Sequence, residues 1–180
     1  MSEIEVEVLP AGLWELDRAH SSIGFAIEYL AGTFRGTFAD FDAYLEHGVL
    51  TGSARVGSVQ VKDKYLAAHL QGPDFFDAEL NPEISFASVA TTRDGDSVTI
   101  DGAISIKGHT EPVQVVGTIS GPITDQYDGE RFGLTLAARI DRDRFGVSWN
   151  TPLPGGDQAL SMEVTISAEL QLLRIGTGQC

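Results

Sequence analysis

The chain has 180 residues, 42% of them hydrophobic, with 12 Lys+Arg against 26 Asp+Glu and a formal net charge of -14. That length suits one domain spanning residues 1–180, large enough to bury roughly 70% of the surface its unfolded chain would expose. An acidic surface of this kind repels duplex nucleic acid and anionic lipid headgroups, so neither is expected as a partner.

Cys180 is the lone cysteine and the last residue, so packing rather than an intrachain disulfide must hold the fold. The opening M-S-E-I-E-V-E-V-L-P alternates acids with apolar residues, unlike the basic start and continuous apolar stretch of a secretory signal. No apolar run approaches the ~20 residues of a membrane helix. A cytoplasmic protein that does not span the membrane is expected.

Residues 14–25 read W-E-L-D-R-A-H-S-S-I-G-F and bring Asp17, His20 and Ser21, the residue types of a hydrolase triad, within five positions. On an extended segment His20 and Ser21 point to opposite faces, whereas a nucleophile needs its base within about 3 Å. A turn in which Asp17 and Ser21 or Ser22 satisfy backbone donors is the simpler reading. From Ile23 the apolar residues recur at every second position, the period of a strand with one buried face: Ile23, Phe25, Ile27 and Tyr29, then Phe34, Gly36 and Phe38 after a turn at Ala31-Gly32. S-A-R-V-G-S-V-Q-V from Ser53 is a third strand, and a change of phase near Ser58 suggests a bulge.

Lys62 to Gly72 reads K-D-K-Y-L-A-A-H-L-Q-G, with Tyr65, Leu66, His69 and Leu70 at helical spacing and Gly72-Pro73 as the stop, so a short helix over 63–71 is expected. Residues 73–83, with Phe75 and Phe76, form the loop that follows. Alternation resumes at Ile84-Phe86-Ser88-Ala90, Val98 to Ile106, Val113 to Ile119, Phe132 to Ile140 and Met162 to Leu172. Asp94-Gly95 and Asp128-Gly129 supply the positive-φ residues of tight turns. About eight antiparallel strands with short links make an all-β protein, an up-and-down barrel or a sandwich. N-T-P-L-P-G-G-D-Q from Asn150 is a loop.

Ligand chemistry is sparse. His20, His47, His69 and His109 lack the paired spacing of a zinc site. D-R-D-R-F-G from Asp141 starts like a calcium loop, but Phe145 and Pro152 stand where ligands belong, so it reads as a strand end with solvent-facing charges. No phosphate loop joins a strand to a helix, and no metal or cofactor is expected. What remains is apolar surface, with Phe25, Phe34, Phe38, Phe41, Phe75, Phe76, Phe86 and Trp149 beside the aliphatic strand faces. It forms either a filled core or a cavity wall.

Several motifs, in this order, resemble the YceI-like family of polyisoprenoid-binding, lipocalin-like bacterial proteins, from Trp14 to about Leu172. They are the opening W-x-L-D-x-x-H-S-S-I-x-F, G-T-F-A-D-F at Gly36 to Phe41, and H-L-Q-G-P-D-F-F-D-A-E-L-N-P-E-I-S-F-A-S from His69 to Ser88. I-K-G-H-T-E-P-V at Ile106 to Val113 and D-R-F-G-V-S-W at Asp143 to Trp149 complete the set. The resemblance implies an eight-stranded antiparallel extended lipocalin-like β-barrel with a short helix packed against it. It also implies that an isoprenoid lipid or quinone-like long apolar molecule binds in the barrel interior, and a protein acting as its carrier, store or sensor is expected. Family members often pair, which would allow a homodimer. The expected lining is Phe25, Ile27, Tyr29, Phe38, Leu66, Leu70, Phe75, Phe76, Phe86, Ile104, Ile106, Leu134, Trp149 and Val164. The alternative is an isomerase- or cyclase-type enzyme acting on a hydrophobic substrate in the same cavity, with His20, Asp17 or Tyr29 moving the proton.

Overall fold

A computed structural model describes residues 8–175. Among the described residues eleven strands, one α-helix and three 3-10 turns follow one another, and these strands form one closed antiparallel sheet. The first run is β1 (Leu13–Leu16), a 3-10 turn at Arg18–His20 and β2 (Ser22–Tyr29). The second is β3 (Gly32–Phe38) and β4 (Phe41–Glu46), and the third is β5 (Val49–Arg55) and β6 (Val59–Gln60). Each of these runs is a single barrel strand with a break in its middle. Five longer strands complete the wall: β7 (Glu83–Asp94), β8 (Ser97–Ile106), β9 (His109–Thr124), β10 (Glu130–Asp141) and β11 (Leu160–Ile175). The result is the expected eight-stranded lipocalin-like barrel.

Closure depends on β11. One edge pairs with β10 from Glu163 to Leu173. The other edge pairs with β2 over Leu160 to Glu169 and with β1 over Leu172 to Ile175. The first and last of the described strands therefore meet and leave no long unpaired edge there, which removes the usual template for edge-to-edge aggregation.

The sequence pattern explains the faces. Alternation of apolar and polar residues sends every second side chain inward, and β8 shows it plainly, with Val98, Ile100, Ile104 and Ile106 all buried. Tight turns occur where positive-φ residues stand: Gly95, Asp128, the pair His47-Gly48 and the pair Lys107-Gly108. Two expectations change. The break near Ser58 is a 3-10 turn at Val56–Ser58 rather than a bulge; its Ser58 hydroxyl donates to Arg55 O at 2.7 Å. The strands β1 and β4 also lie outside the segments anticipated, because short interruptions cut each of them from its neighbour before a full alternating run accumulates.

The helix α1 (Lys64–Gln71) starts where the Asp63 carboxylate accepts from the Tyr65 N–H and stops at Gly72. It is placed by a gap in the wall. β3 pairs with β6 only at Thr37 and Phe38, so α1 and the turns after it occupy the space beside the lower part of β3. Lys107, at the β8–β9 turn, donates to Pro73 O at 2.6 Å and Gly146 O at 3.1 Å, fastening that segment to the barrel rim.

Candidate functional site

The two halves of the barrel interior differ in side-chain size. Away from α1, Trp14, Leu45, Val98, Phe132, Leu134 and Leu172 are almost fully buried and fill the space. Trp14 stacks edge-on against Phe132, with ring centroids 4.8 Å apart. Its indole N–H donates to Ala11 O at 3.0 Å, and the Arg174 guanidinium lies 4.7 Å from its ring. Toward α1, small residues replace them: Ala43, Gly52, Ala54, Ala138 and Ala168 stand on the wall of a cavity of about 640 Å³. That volume falls within the roughly 300–1,000 Å³ of small-molecule sites.

The wall is aromatic where the helix closes it. Phe25 lies 6.0 Å from Phe34 and 5.8 Å from Phe38, and Phe38 lies 6.1 Å from Phe76. The His69 ring is held edge-on between Phe75 at 4.9 Å and Trp149 at 4.8 Å, and its Nε2 meets Asp74 at 2.9 Å. Gly36 makes room for this packing, since a Cβ there would come within 2.5 Å of the Phe25 ring. Tyr65 and Leu30 border the cavity while 80% and 60% exposed, so they mark its opening between α1 and the β2–β3 turn.

Of the fourteen residues anticipated from the sequence, the structure places Phe25, Ile27, Tyr29, Phe38, Leu66, Leu70, Phe75, Phe76, Phe86, Ile104, Ile106, Trp149 and Val164 on this cavity. Leu134 is different. It points inward but is 1% exposed and off the cavity wall, with Phe132 of the filled half next to it on the inner face of β10. The cavity also takes Ile23 and Phe34, which stood among the apolar residues noted in the sequence, and His69, Leu153 and Arg142, which the sequence did not single out for it.

Arg142 corrects the reading of D-R-D-R-F-G as a run of solvent-facing charges. The segment Arg142–Phe145 is a 3-10 turn, in which positions three apart share a side, and both Arg142 and Phe145 turn into the protein. Arg142 is 3% exposed. Its Nε donates to Ser161 O at 2.9 Å, and its Nη1 donates to Val147 O at 2.7 Å and Trp149 O at 2.9 Å. Burial lowers the guanidinium pKa, with Asp143 and Asp141 opposing the effect. Nearby Asn150 pins the following loop to β11: its amide donates to Leu160 O at 2.7 Å and its carbonyl accepts from Leu160 N at 2.9 Å.

Asp17, His20 and Ser21 form no relay. The Asp17 carboxylate meets His20 Nδ1 at 2.8 Å and accepts from Arg131 Nη1 at 2.9 Å, which corrects the expectation that it caps backbone donors. Ser21 donates instead to Asp17 O at 2.7 Å and accepts from the Gln171 N–H at 2.9 Å, so its hydroxyl is committed to closing the barrel seam. Partial burial works to raise the Asp17 pKa, but the His20 and Arg131 hydrogen bonds outweigh it and hold the carboxyl below its usual value. None of the three borders the cavity. Among the described residues no cluster of three His, Cys, Asp or Glu could hold a metal ion, and no helix is long and apolar enough to cross a membrane.

A closed antiparallel barrel, half packed and half hollow with an apolar wall, defines the class of β-barrels that enclose an apolar site. The chain belongs to the YceI-like family, whose YceI-like domain profile matches residues 14–172. A UPF0312 protein of Pseudomonas putida strain W619 is 27% identical over 162 residues, covering 84% of this chain and 82% of its own. Two solved structures share the fold. Burkholderia cenocepacia BcnA superposes with a TM-score of 0.72 at 22% identity, covering 87% of this chain and 98% of its own. A polyisoprenoid binding domain from Saccharophagus degradans gives 0.67 at 11% identity, covering 90% and 98%.

Proposed function

We propose that the protein binds an isoprenoid lipid or quinone-like long apolar molecule inside the barrel, as carrier, store or sensor, and that residues 1–180 act as one domain. The observation that carries this reading is the contrast between the two halves of the interior. A barrel needing only stability would be filled throughout, because an empty volume forfeits contacts that neighbouring side chains would otherwise make. Here Ala43, Gly52, Ala54, Ala138 and Ala168 leave space beneath an aromatic wall. Each CH₂ entering such a space from water gains about 0.8 kcal/mol, so a few isoprene units offset the ordering of a flexible chain.

The family and the polyisoprenoid binding domain of like fold support this choice of ligand. The thirteen anticipated residues on the cavity are the proposed contacts. A catalytic use of the same space would call on Asp17, His20 or Tyr29 for proton transfer; Asp17 and His20 stand outside it, and Tyr29 borders it. Organic extraction of protein purified from its native host, followed by mass spectrometry, should release an isoprenoid-like lipid. Finding none, together with failure to bind added long-chain isoprenoids, would remove the proposal.

A further inference from the structure

Resting on that binding reading, we infer that the cavity mouth is a docking surface for a zwitterionic lipid bilayer, from which the apolar molecule passes into the barrel without crossing water. Tyr29, Leu30, Tyr65 and Leu153 all border the cavity. The first three are 44%, 60% and 80% exposed, with Tyr29 and Leu30 at the β2–β3 turn and Tyr65 on the facing helix α1. Apolar surface therefore continues from the cavity wall out onto both sides of its opening.

Leu30 is the sharpest sign. It holds φ at 53°, and among the described non-glycine residues with positive φ it is the one aliphatic side chain. A bulky residue is strained there, and Gly, Asn or Asp makes such a turn more easily. The Leu30 N–H donates to Ala159 O at 3.0 Å, which ties the turn to the end of the loop that carries Leu153. The strained position thus holds a leucine out at the rim, where its exposed side chain adds little to the core.

Charge and size select the occupant. Lys62 and Lys64, two of the chain's three lysines, flank this part of α1, and both are exposed. Neither takes part in the ion pairs of the described residues, and the Asp63 carboxylate between them is engaged by the Tyr65 N–H. Lysines beside tyrosines and a leucine suit a bilayer interface: the rings sit among the headgroups, the leucine reaches the acyl boundary and the ammonium groups meet lipid phosphates. The rest of a chain with net charge -14 is repelled by anionic headgroups, which favours a zwitterionic bilayer approached mouth first. A protein partner fits less well, because four side chains fall short of the roughly 800 Å² per partner of a stable protein interface.

The test is flotation of delipidated full-length protein with phosphatidylcholine vesicles that contain no isoprenoid. The natural protein should rise with the vesicles. Leu30→Asn, which suits a positive φ, and Tyr65→Ser should each weaken vesicle binding several-fold, and the two together about ten-fold or more. Tyr127→Ser should leave it unchanged, because Tyr127 is 83% exposed but lies at the β9–β10 turn of the filled end. No flotation of the natural protein, or an equal loss in all three single variants, would overturn the inference and leave isoprenoid binding standing. Vesicle binding by a protein that takes up no isoprenoid would support the surface and remove the cavity reading. Self-association that Leu30→Asn abolishes, without vesicle binding, would assign the mouth to a second copy and overturn the inference. Should the variants fail to fold, amide exchange of the natural protein decides. Vesicles should slow exchange in residues 29–33 and 63–66 and leave 125–129 unchanged, and slowing confined to other segments overturns the assignment.

Discussion

At the scale of single residues, the same side-chain types serve opposite ends. Trp14 fills the closed half, and its contacts with Phe132 and Arg174 leave nowhere for a large void to collapse. Trp14→Ala should cost about 3–5 kcal/mol of unfolding free energy, read by denaturant titration. Asp17 acts through charge. Its pKa lies below the unfolded value of about 3.9, so its contribution is fully present above that pH and is lost as pH falls through the lowered native value. Asp17→Asn should therefore lower the melting temperature at pH 7, and the gap from the natural protein should close as the pH falls through that lowered native value. A constant gap across that range would show that Asp17 acts by shape alone.

At the scale of elements, the strand faces were legible and the interruptions were not. Period-two alternation revealed the inward residues of β2, β8, β10 and β11 because one face is enclosed and the other is wet. It could not reveal β1 or β4, four and six residues long, cut off by a turn from the runs they continue. Nor could it distinguish Leu134 from Val164, since alternation specifies which face is inner but not how far along the barrel a residue sits. Arg142 was hidden for another reason. A segment of alternating charges looks solvated until the turn places Arg142 and Phe145 on one inner side. Lys107 helps to fasten the helix and its loop to the rim. Lys107→Ala removes the bonds to Pro73 O and Gly146 O and should speed amide exchange in residues 64–77 several-fold, while the β9–β10 amides stay protected.

At the scale of the whole molecule, the barrel divides its interior between stability and reception. The filled half holds the closed sheet together, and the hollow half trades core contacts for a place to bury a ligand. Gly52 stands on the hollow wall, where the nearest atom to an added Cβ is Asp42 O at 3.6 Å. Gly52→Leu should therefore extend into open space, leaving the melting temperature of the delipidated protein equal or higher while weakening isoprenoid binding ten-fold or more.

The most direct test follows the thermal midpoint of the delipidated natural protein and of Gly52→Leu as a long-chain isoprenoid is titrated. Ligand bound only to the folded barrel should stabilise the natural protein by about 2.7 kcal/mol at a concentration one hundred times Kd, and leave the variant nearly unmoved over the same range. An unchanged midpoint in the natural protein, or an equal rise in both, would contradict a binding site in the hollow half of the barrel.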